Sequence, residues 1–207
     1  MIRSYTRAEL LADPILSRSM HEDRKRVFID TYKWDLPHSD GLEIDQFDTQ
    51  DAVYLAGKDR AGTHFASVRL LETESDHILG SIFPFLCEVD LPRGPHVREI
   101  TRSIASPRRT TAERRLGRNM VARALIEYGL EHGITTYTAV CDLGYLSRVL
   151  AAGWRCDPLG LPRKVNGSMI GAFCIHIEED TIARMAPGWR TDMPALALSP
   201  ATFRAAA

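Results

Sequence analysis

The chain has 207 residues, 44% hydrophobic and 26% charged, with a formal net charge of −1. This is long enough for one sizeable core, and the balance is that of an ordinary globular protein rather than a disordered or fibrous one. Charge so near zero gives no global pull toward nucleic acid or anionic lipid. No apolar run of membrane-spanning length occurs and no apolar signal core follows Met1, so one soluble, cytoplasmic domain over residues 1–207 is expected.

In chain order, residues 14–33 read as a helix. Pro14 stands at its start, and Ile15, Leu16, Met20, Val27, Phe28 and Tyr32 recur roughly by turns. Residues 34–50, with Pro37 and Gly41, read as a polar loop. A strand at 52–56, a turn at Asp59-Arg60-Ala61-Gly62 and a returning strand at 63–72 make a hairpin. Residues 96–105 form another strand. Its alternation puts Val97, Glu99 and Thr101 on one face and Arg98, Ile100 and Arg102 on the other. A bulge or bend is therefore needed if Glu99 and Arg102 are to serve one site.

Residues 111–132 give the strongest helix signal. Leu116, Met120, Val121, Ala124, Leu125 and Tyr128 form an apolar stripe, and Gly133 supplies the stop. A strand follows at 134–140, then a short helix at 143–152 ended by Gly153, and a last strand near 171–177. Strands alternating with long helices indicate an α/β fold around a mixed sheet.

The four cysteines, Cys87, Cys141, Cys156 and Cys174, are widely spaced and form no Cys-x-x-Cys pair. Free thiols and no metal site are expected. Nucleophile elbow, Walker loop, dinucleotide fingerprint and His-Glu-x-x-His motif are all missing from the sequence. His132, Cys141 and Asp142 do not make a persuasive thiol-nucleophile set. His132 falls at a helix C-terminus, where the dipole favours an imidazolium, and Cys141 ends a buried strand.

The segment Gly41-Leu42-Glu43-Ile44-Asp45-Gln46-Phe47-Asp48 concentrates three carboxylates. Ile44 and Phe47 between them suggest a segment that packs rather than floats. Arg24, Arg69 and Arg102 are available as bidentate partners for the acids. Five further arginines, Arg108, Arg109, Arg114, Arg115 and Arg118, fall within eleven residues.

Arg24, Phe28, Trp34, Asp45, Asp48, Arg69, Glu99 and Arg102, in this order and spacing, resemble the LuxI-type acyl-homoserine lactone synthases, the autoinducer synthases of bacterial quorum sensing. Glu43 and Phe83 also fall on positions similar to the family's. The resemblance runs from about residue 20 to the region of Gly171. Arg98 and Ser103 depart from the aromatics that many members carry beside the Glu and Arg. Arg114-Arg115-Leu116-Gly117-Arg118-Asn119 resembles, in part, the coenzyme A pyrophosphate turn of the GCN5-related N-acetyltransferases, where backbone N–H groups at a helix start hold the anion. Asn119 departs from its last small residue.

The resemblance implies a three-layer α/β/α sandwich of the GCN5-related type. It implies an acyltransferase that joins S-adenosylmethionine to an acyl thioester and releases methylthioadenosine, with both reactants as substrates and no resident cofactor. Glu99 and Arg102 would be catalytic. Arg24, Phe28, Trp34, Glu43, Asp45, Asp48, Arg69 and Phe83 would hold S-adenosylmethionine. Ile104, Thr138, Leu146, Leu150 and Trp154 would line the acyl pocket, and Arg108, Arg109, Arg114, Arg115 and Arg118 would meet the carrier's phosphate or surface. The donor would be acyl-coenzyme A or acyl carrier protein. The segment from Glu43 to Leu55, with Pro158-Leu159-Gly160-Leu161-Pro162 and Val165-Asn166-Gly167, resembles members that take aryl or branched acyl groups from coenzyme A. The alternative is a GCN5-related N-acyltransferase acting on another amine.

Overall fold

The computed structural model describes residues 1–191 and 194–197. In chain order the elements are β1 (Ile2–Thr6), α1 (Arg7–Leu11), α2 (Pro14–Arg24), a π-helical stretch Lys25–Thr31, β2 (His38–Ser39), β3 (Leu42–Glu43), β4 (Val53–Lys58), β5 (His64–Glu72), α3 (Ile78–Ser81), a 3₁₀ turn Pro84–Leu86, β6 (Val97–Ala105), α4 (Thr111–His132), β7 (Thr136–Asp142), α5 (Leu143–Leu150), β8 (Arg155–Pro158), β9 (Arg163–Val165), β10 (Ser168–His176) and α6 (Thr181–Arg184). The class is α/β with a mixed sheet. The described residues fall into two compact units. The first takes Met1–Arg69, Arg102–Ala124 and the residues from 191 onward; the second takes Leu70–Thr101 and Leu125–Arg190. β5, β6 and α4 each contribute to both.

In the first unit the strand order is β1-β4-β5-β6. β1 pairs antiparallel with β4, from Ile2 opposite Gly57 to Thr6 opposite Val53. Ile2, Leu10, Leu16, Met20, Leu55 and Val68 are buried in this unit. The helix read over residues 14–33 is corrected here. Regular α-helix ends at Arg24, and the chain continues as a π-helix in which the Tyr32 N–H reaches back five residues to the Val27 carbonyl, at 3.0 Å. Thr31 Oγ1 donates to the Arg26 carbonyl at 2.8 Å and supports the wider turn. Such stretches are uncommon and concentrate at functional sites. The loop read at 34–50 holds a small hairpin, β2 with β3, closed by Asp40 and Gly41, both at positive φ.

α4 opens in a capping box. The Thr110 N–H donates to Glu113 Oε2 at 2.9 Å, and the Glu113 N–H donates to Thr110 Oγ1 at 3.3 Å. The helix therefore starts before Arg114, and the Arg114–Asn119 motif lies inside its first turns rather than in a preceding turn. Gly117 instead serves packing: a Cβ there would meet the Ala66 Cβ at 3.0 Å, so glycine lets the helix lie close on β5. Leu116, placed in the buried stripe by periodicity, is exposed, whereas Val121, Ala124 and Leu125 are buried.

In the second unit the order is β6-β7-β10-β8, with β9 also on β10. β6 and β7 are parallel, Val97 opposite Thr136, and β7 and β10 antiparallel. The end of α4 is capped by an Ile134 N–H to Gly129 carbonyl bond at 2.8 Å across Gly133. This draws Ile134 into the helix end, and β7 begins two residues later than the sequence pattern suggests.

Candidate active site

Six charged side chains of the first unit form one buried network. Arg24, at the last turn of α2, donates from Nη1 and Nη2 to Asp48 Oδ1 and Oδ2 at 2.8 and 2.9 Å, and from Nε to Glu43 Oε2 at 2.5 Å. Arg69 on β5 grips Asp45 through Nη1 at 2.6 Å and Nη2 at 3.0 Å, and its Nη1 lies 2.9 Å from Asp48 Oδ1. Arg102 Nη2 donates to Glu43 Oε1 at 2.9 Å and to Asp45 Oδ2 at 2.6 Å. The three acids expected to cluster with three arginines do so, and their formal charges cancel. Buried charges are tolerated only when paired and hydrogen-bonded, and here each carboxylate is multiply bonded.

The network is graded. Arg24, Glu43, Asp48 and Arg69 side chains are essentially closed to water, while Asp45 and Arg102 keep 6% and 7% exposure and form its rim. Asp48 also accepts from Tyr54 OH at 2.7 Å and from the Asp45 N–H at 2.9 Å. Burial acts to raise the Asp48 pKa, but the Arg24 charge and bonds, with Arg69, outweigh it and hold the carboxyl far below the usual range. Burial and Asp48 push the Tyr54 phenol upward. Arg24 and Arg69 are raised because their carboxylates outweigh burial. Arg102 differs: burial outweighs Glu43 and Asp45, and its pKa is lowered. Arg102 is thus the guanidinium whose desolvation is least compensated.

Phe28, on the π-helix, stacks on Trp34 with centroids 5.1 Å apart, and the Arg102 guanidinium stands 5.3 Å over the Phe28 ring. The Trp34 N–H donates to the Phe28 carbonyl at 2.9 Å, so the π-turn fixes both rings. β6 is irregular at Arg102. Arg102 has φ +51, a left-handed conformation for a non-glycine residue, and burial switches phase there: Glu99 and Thr101 are buried before it, Ile104 after it.

In the second unit Glu99 is fully buried. Its Oε2 accepts from the Ile78 N–H and its Oε1 from the Leu79 N–H, both at 2.7 Å, at the first turn of α3. Both carboxyl oxygens of Glu99 are thus engaged as acceptors by backbone donors. Phe83 packs against the cluster of Leu79, Leu86, Leu159, Ala172 and Cys174. Of the remaining pocket residues, Thr138, Leu146 and Trp154 are buried, but Leu150 is 43% exposed on α5 and does not line an interior cavity. Ile104 is buried in the first unit. Thr138 Oγ1 is buried without a hydrogen-bond partner.

The basic cluster divides. Arg108 Nη2 donates to Asp23 at 2.9 Å and Arg109 pairs with Asp59, so both hold the first unit together. Arg114 and Arg115 are exposed and Arg118 is half-buried. His132 is exposed and stacks on Tyr128, and burial pushes the Cys141 thiol up to about 12, which leaves no thiolate nucleophile there.

Sequence reading did not find Tyr54, the third side chain on Asp48, which looked like an ordinary strand aromatic. Nor did it find Asp23 and His64, whose Oδ2 and Nδ1 lie 2.8 Å apart while His64 Nε2 lies 3.0 Å from Ser67 Oγ. No spacing rule links residues 23, 64 and 67; only the packing of α2 on β5 does.

Comparison with known proteins places this arrangement. The family model for autoinducer synthases matches residues 9–185. The chain belongs to that family. An acyl-homoserine-lactone synthase of Acinetobacter nosocomialis is 30% identical over 74% of this chain and 88% of its own length. An isovaleryl-homoserine lactone synthase of Bradyrhizobium diazoefficiens is 30% identical over 81% of this chain and 79% of its own. The solved structure of a coenzyme A-dependent acyl-homoserine lactone synthase, BjaI, with S-adenosylmethionine and isopentyl-coenzyme A superposes with a TM-score of 0.80. It is 25% identical over 88% of this chain and 86% of that one. An acyl-CoA N-acyltransferase from Pseudomonas aeruginosa, 15% identical over 84% of this chain and 97% of its own, shares the fold at a TM-score of 0.57. The GCN5-related architecture expected of an autoinducer synthase is therefore present.

Proposed function

We propose that this chain is an acyl-homoserine lactone synthase that uses S-adenosylmethionine and an acyl thioester. The observation that carries this reading is the buried Arg24–Glu43–Asp45–Asp48–Arg69–Arg102 network in a member of the autoinducer synthase family. An ordinary N-acyltransferase has no need of such a network.

Each part has a chemical task. Arg102, the least compensated guanidinium and one at the rim, receives the carboxylate of S-adenosylmethionine. Asp45, the rim carboxylate, offers the ammonium a negative charge, exchanging for it one of the bonds that its oxygens accept from Arg69, Arg102 and the Phe47 N–H. Phe28 and Trp34 offer ring faces to the sulfonium or adenine; a cation over such a face gains about 0.5–2 kcal/mol. Arg24, Asp48 and Tyr54 hold the rim residues in place.

Glu99 is the base. The α-amine of S-adenosylmethionine has an ordinary pKa of about 7.7–8, so it needs only a modest push to lose its proton, directly or through one water. The amine nitrogen then attacks the thioester carbonyl, the thiolate leaves and takes a proton, and an amide forms. In the second step a carboxylate oxygen of the same molecule attacks the carbon bonded to sulfur. The C–S bond breaks, neutral methylthioadenosine leaves, and the lactone closes. Sulfonium is already a good leaving group, so the protein's part is to fold the chain into attack geometry.

For the donor we favour a branched acyl group on coenzyme A, because relatives of that chemistry are among those matched. Were the acyl chain to carry a 3-oxo group instead, the buried, unpartnered Thr138 hydroxyl would bond it. The test is isovaleryl-coenzyme A against the same acyl group on acyl carrier protein, each with S-adenosylmethionine and lactones read by mass. Isovaleryl-homoserine lactone made faster from coenzyme A supports this donor. Preference for the carrier protein would overturn it.

A further inference from the structure

β8 is the edge strand of the second unit's sheet, and Asp157 on it stands directly opposite Cys174 on β10. Directly opposed residues share a face, as do residues two apart on one strand, so Asp157, Cys174 and His176 project together. Their ligand atoms lie within 4.8 Å of one another. None of the three has a part in the chemistry proposed above.

The hydrogen bonding separates two readings of this trio. A Cys-His-Asp catalytic relay uses both ring nitrogens, one toward the thiol and one toward the carboxylate. Here a single nitrogen faces both: His176 Nε2 is 3.5 Å from Cys174 Sγ and 2.8 Å from Asp157 Oδ2. Three donors converging on one point is what a cation requires. For tetrahedral zinc, Zn–S of about 2.3 Å and Zn–N of about 2.0–2.1 Å place sulfur and nitrogen about 3.5 Å apart. The carboxylate must withdraw by about half an ångström, which Asp157, exposed at the sheet edge, is free to do. Arg155 approaches Asp157 at 3.8 Å and Glu178 at 3.6 Å from the solvent side. It is 58% exposed and able to turn away.

We propose that Asp157, Cys174 and His176 form a binding site for a thiophilic divalent cation, zinc foremost, with water as the fourth ligand. Thiolate and imidazole select zinc over magnesium or calcium, and three protein ligands leave one position open. The ion would tie the edge strand β8 to β10. Sequence spacing does not announce such a site, because Cys-x-His is too short for a recognised motif and the third ligand arrives through strand pairing.

The test uses the full chain without a histidine tag, reduced and freed of metal, titrated with Co²⁺ and then Zn²⁺. A companion variant carries Ser at Cys87, Cys141 and Cys156, leaving Cys174 as the sole thiol. The expected result is stoichiometric Co²⁺ with a tetrahedral spectrum and a thiolate-to-metal charge-transfer band, retained in the companion and displaced by Zn²⁺. The band should vanish in Cys174→Ser, and affinity should fall at least about tenfold in Asp157→Asn and His176→Gln. Zn²⁺ should raise the melting temperature of the parent but not of Cys174→Ser. A band that survives Cys174→Ser, an octahedral spectrum without thiolate character, or no binding by folded protein would overturn the site. Lactone synthesis does not enter the readout, so this outcome is independent of the synthase reading.

Discussion

Arg24 and Asp48 meet through two parallel hydrogen bonds of 2.8 and 2.9 Å, with both side chains shut off from water. A contact this closed is a fold element as much as a ligand site. The rest of the network hangs on it, because Asp48 also holds Tyr54, Arg69 and the Asp45 N–H.

Asp48→Asn and Asp45→Asn should therefore separate. Removing one partner of a buried pair costs about 3–5 kcal/mol, and Asp48→Asn is expected to lose stability in that range. Asp45 sits at the rim, so Asp45→Asn should lose less stability but weaken S-adenosylmethionine binding at least tenfold, by about 1.4 kcal/mol or more. Urea unfolding and calorimetric titration on both variants read the two quantities.

Glu99→Gln is expected to lower turnover about 10²–10⁴-fold, the usual worth of a positioned base. The KM for S-adenosylmethionine should change little. Because Gln offers one acceptor where Glu99 offers two to the Ile78 and Leu79 N–H groups, some stability is also lost. Turnover must be referred to folded protein. The diagnostic is pH: the residual rate should recover above about pH 8, where the α-amine is neutral without help. Full turnover at all pH values would remove the base assignment.

His64 makes stability fall on mild acidification. Burial lowers its pKa below 6.5 despite the Asp23 bond. Between the folded and unfolded values the unfolded chain binds a proton that the folded chain does not, so stability rises with pH and is lost as pH drops below about 6.5. His21 and His77 are shifted in the same direction, each chiefly by burial. His64→Gln should flatten part of the slope between pH 5 and 7. Asp48, held low, loses its contribution only as pH falls below about 3.9, the unfolded value. Unfolding free energies across pH 3–8 check both windows.

Thr138→Val replaces a buried, unpartnered hydroxyl with a methyl of similar size. Relief of the unmet bond should leave stability equal or about 1 kcal/mol higher. If the hydroxyl serves an oxygenated acyl chain, kcat/KM should fall for 3-oxoacyl donors and hold for plain ones. Thermal melting and donor competition measure the two effects. A substantial loss of stability would mean that the hydroxyl has a structural partner.

The charged site was legible because the order and spacing of Arg24, Asp45, Asp48, Arg69 and Arg102 resemble the family's; taken one by one, none of these residues stands out from the chain's other charges. α4 was read over Thr111–His132 because it is long, periodic and capped at both ends. The π-turn was not legible, since seven residues cannot separate a period of 3.6 from a wider one. β1 escaped because Ile2 and Tyr5, three apart, break the alternation a strand should show. β8 and β9 are short and largely exposed, without an apolar pattern to mark them. Leu116 and Leu150 were misplaced for one reason: apolar character allows burial but does not compel it.

The most direct test is methylthioadenosine release by the purified protein with S-adenosylmethionine and a panel of aliphatic, branched and aryl donors on coenzyme A and acyl carrier protein. The synthase reading predicts release that depends on a donor and equals the lactone formed, mole for mole. Acylated product without methylthioadenosine would contradict it and leave an ordinary N-acyltransferase.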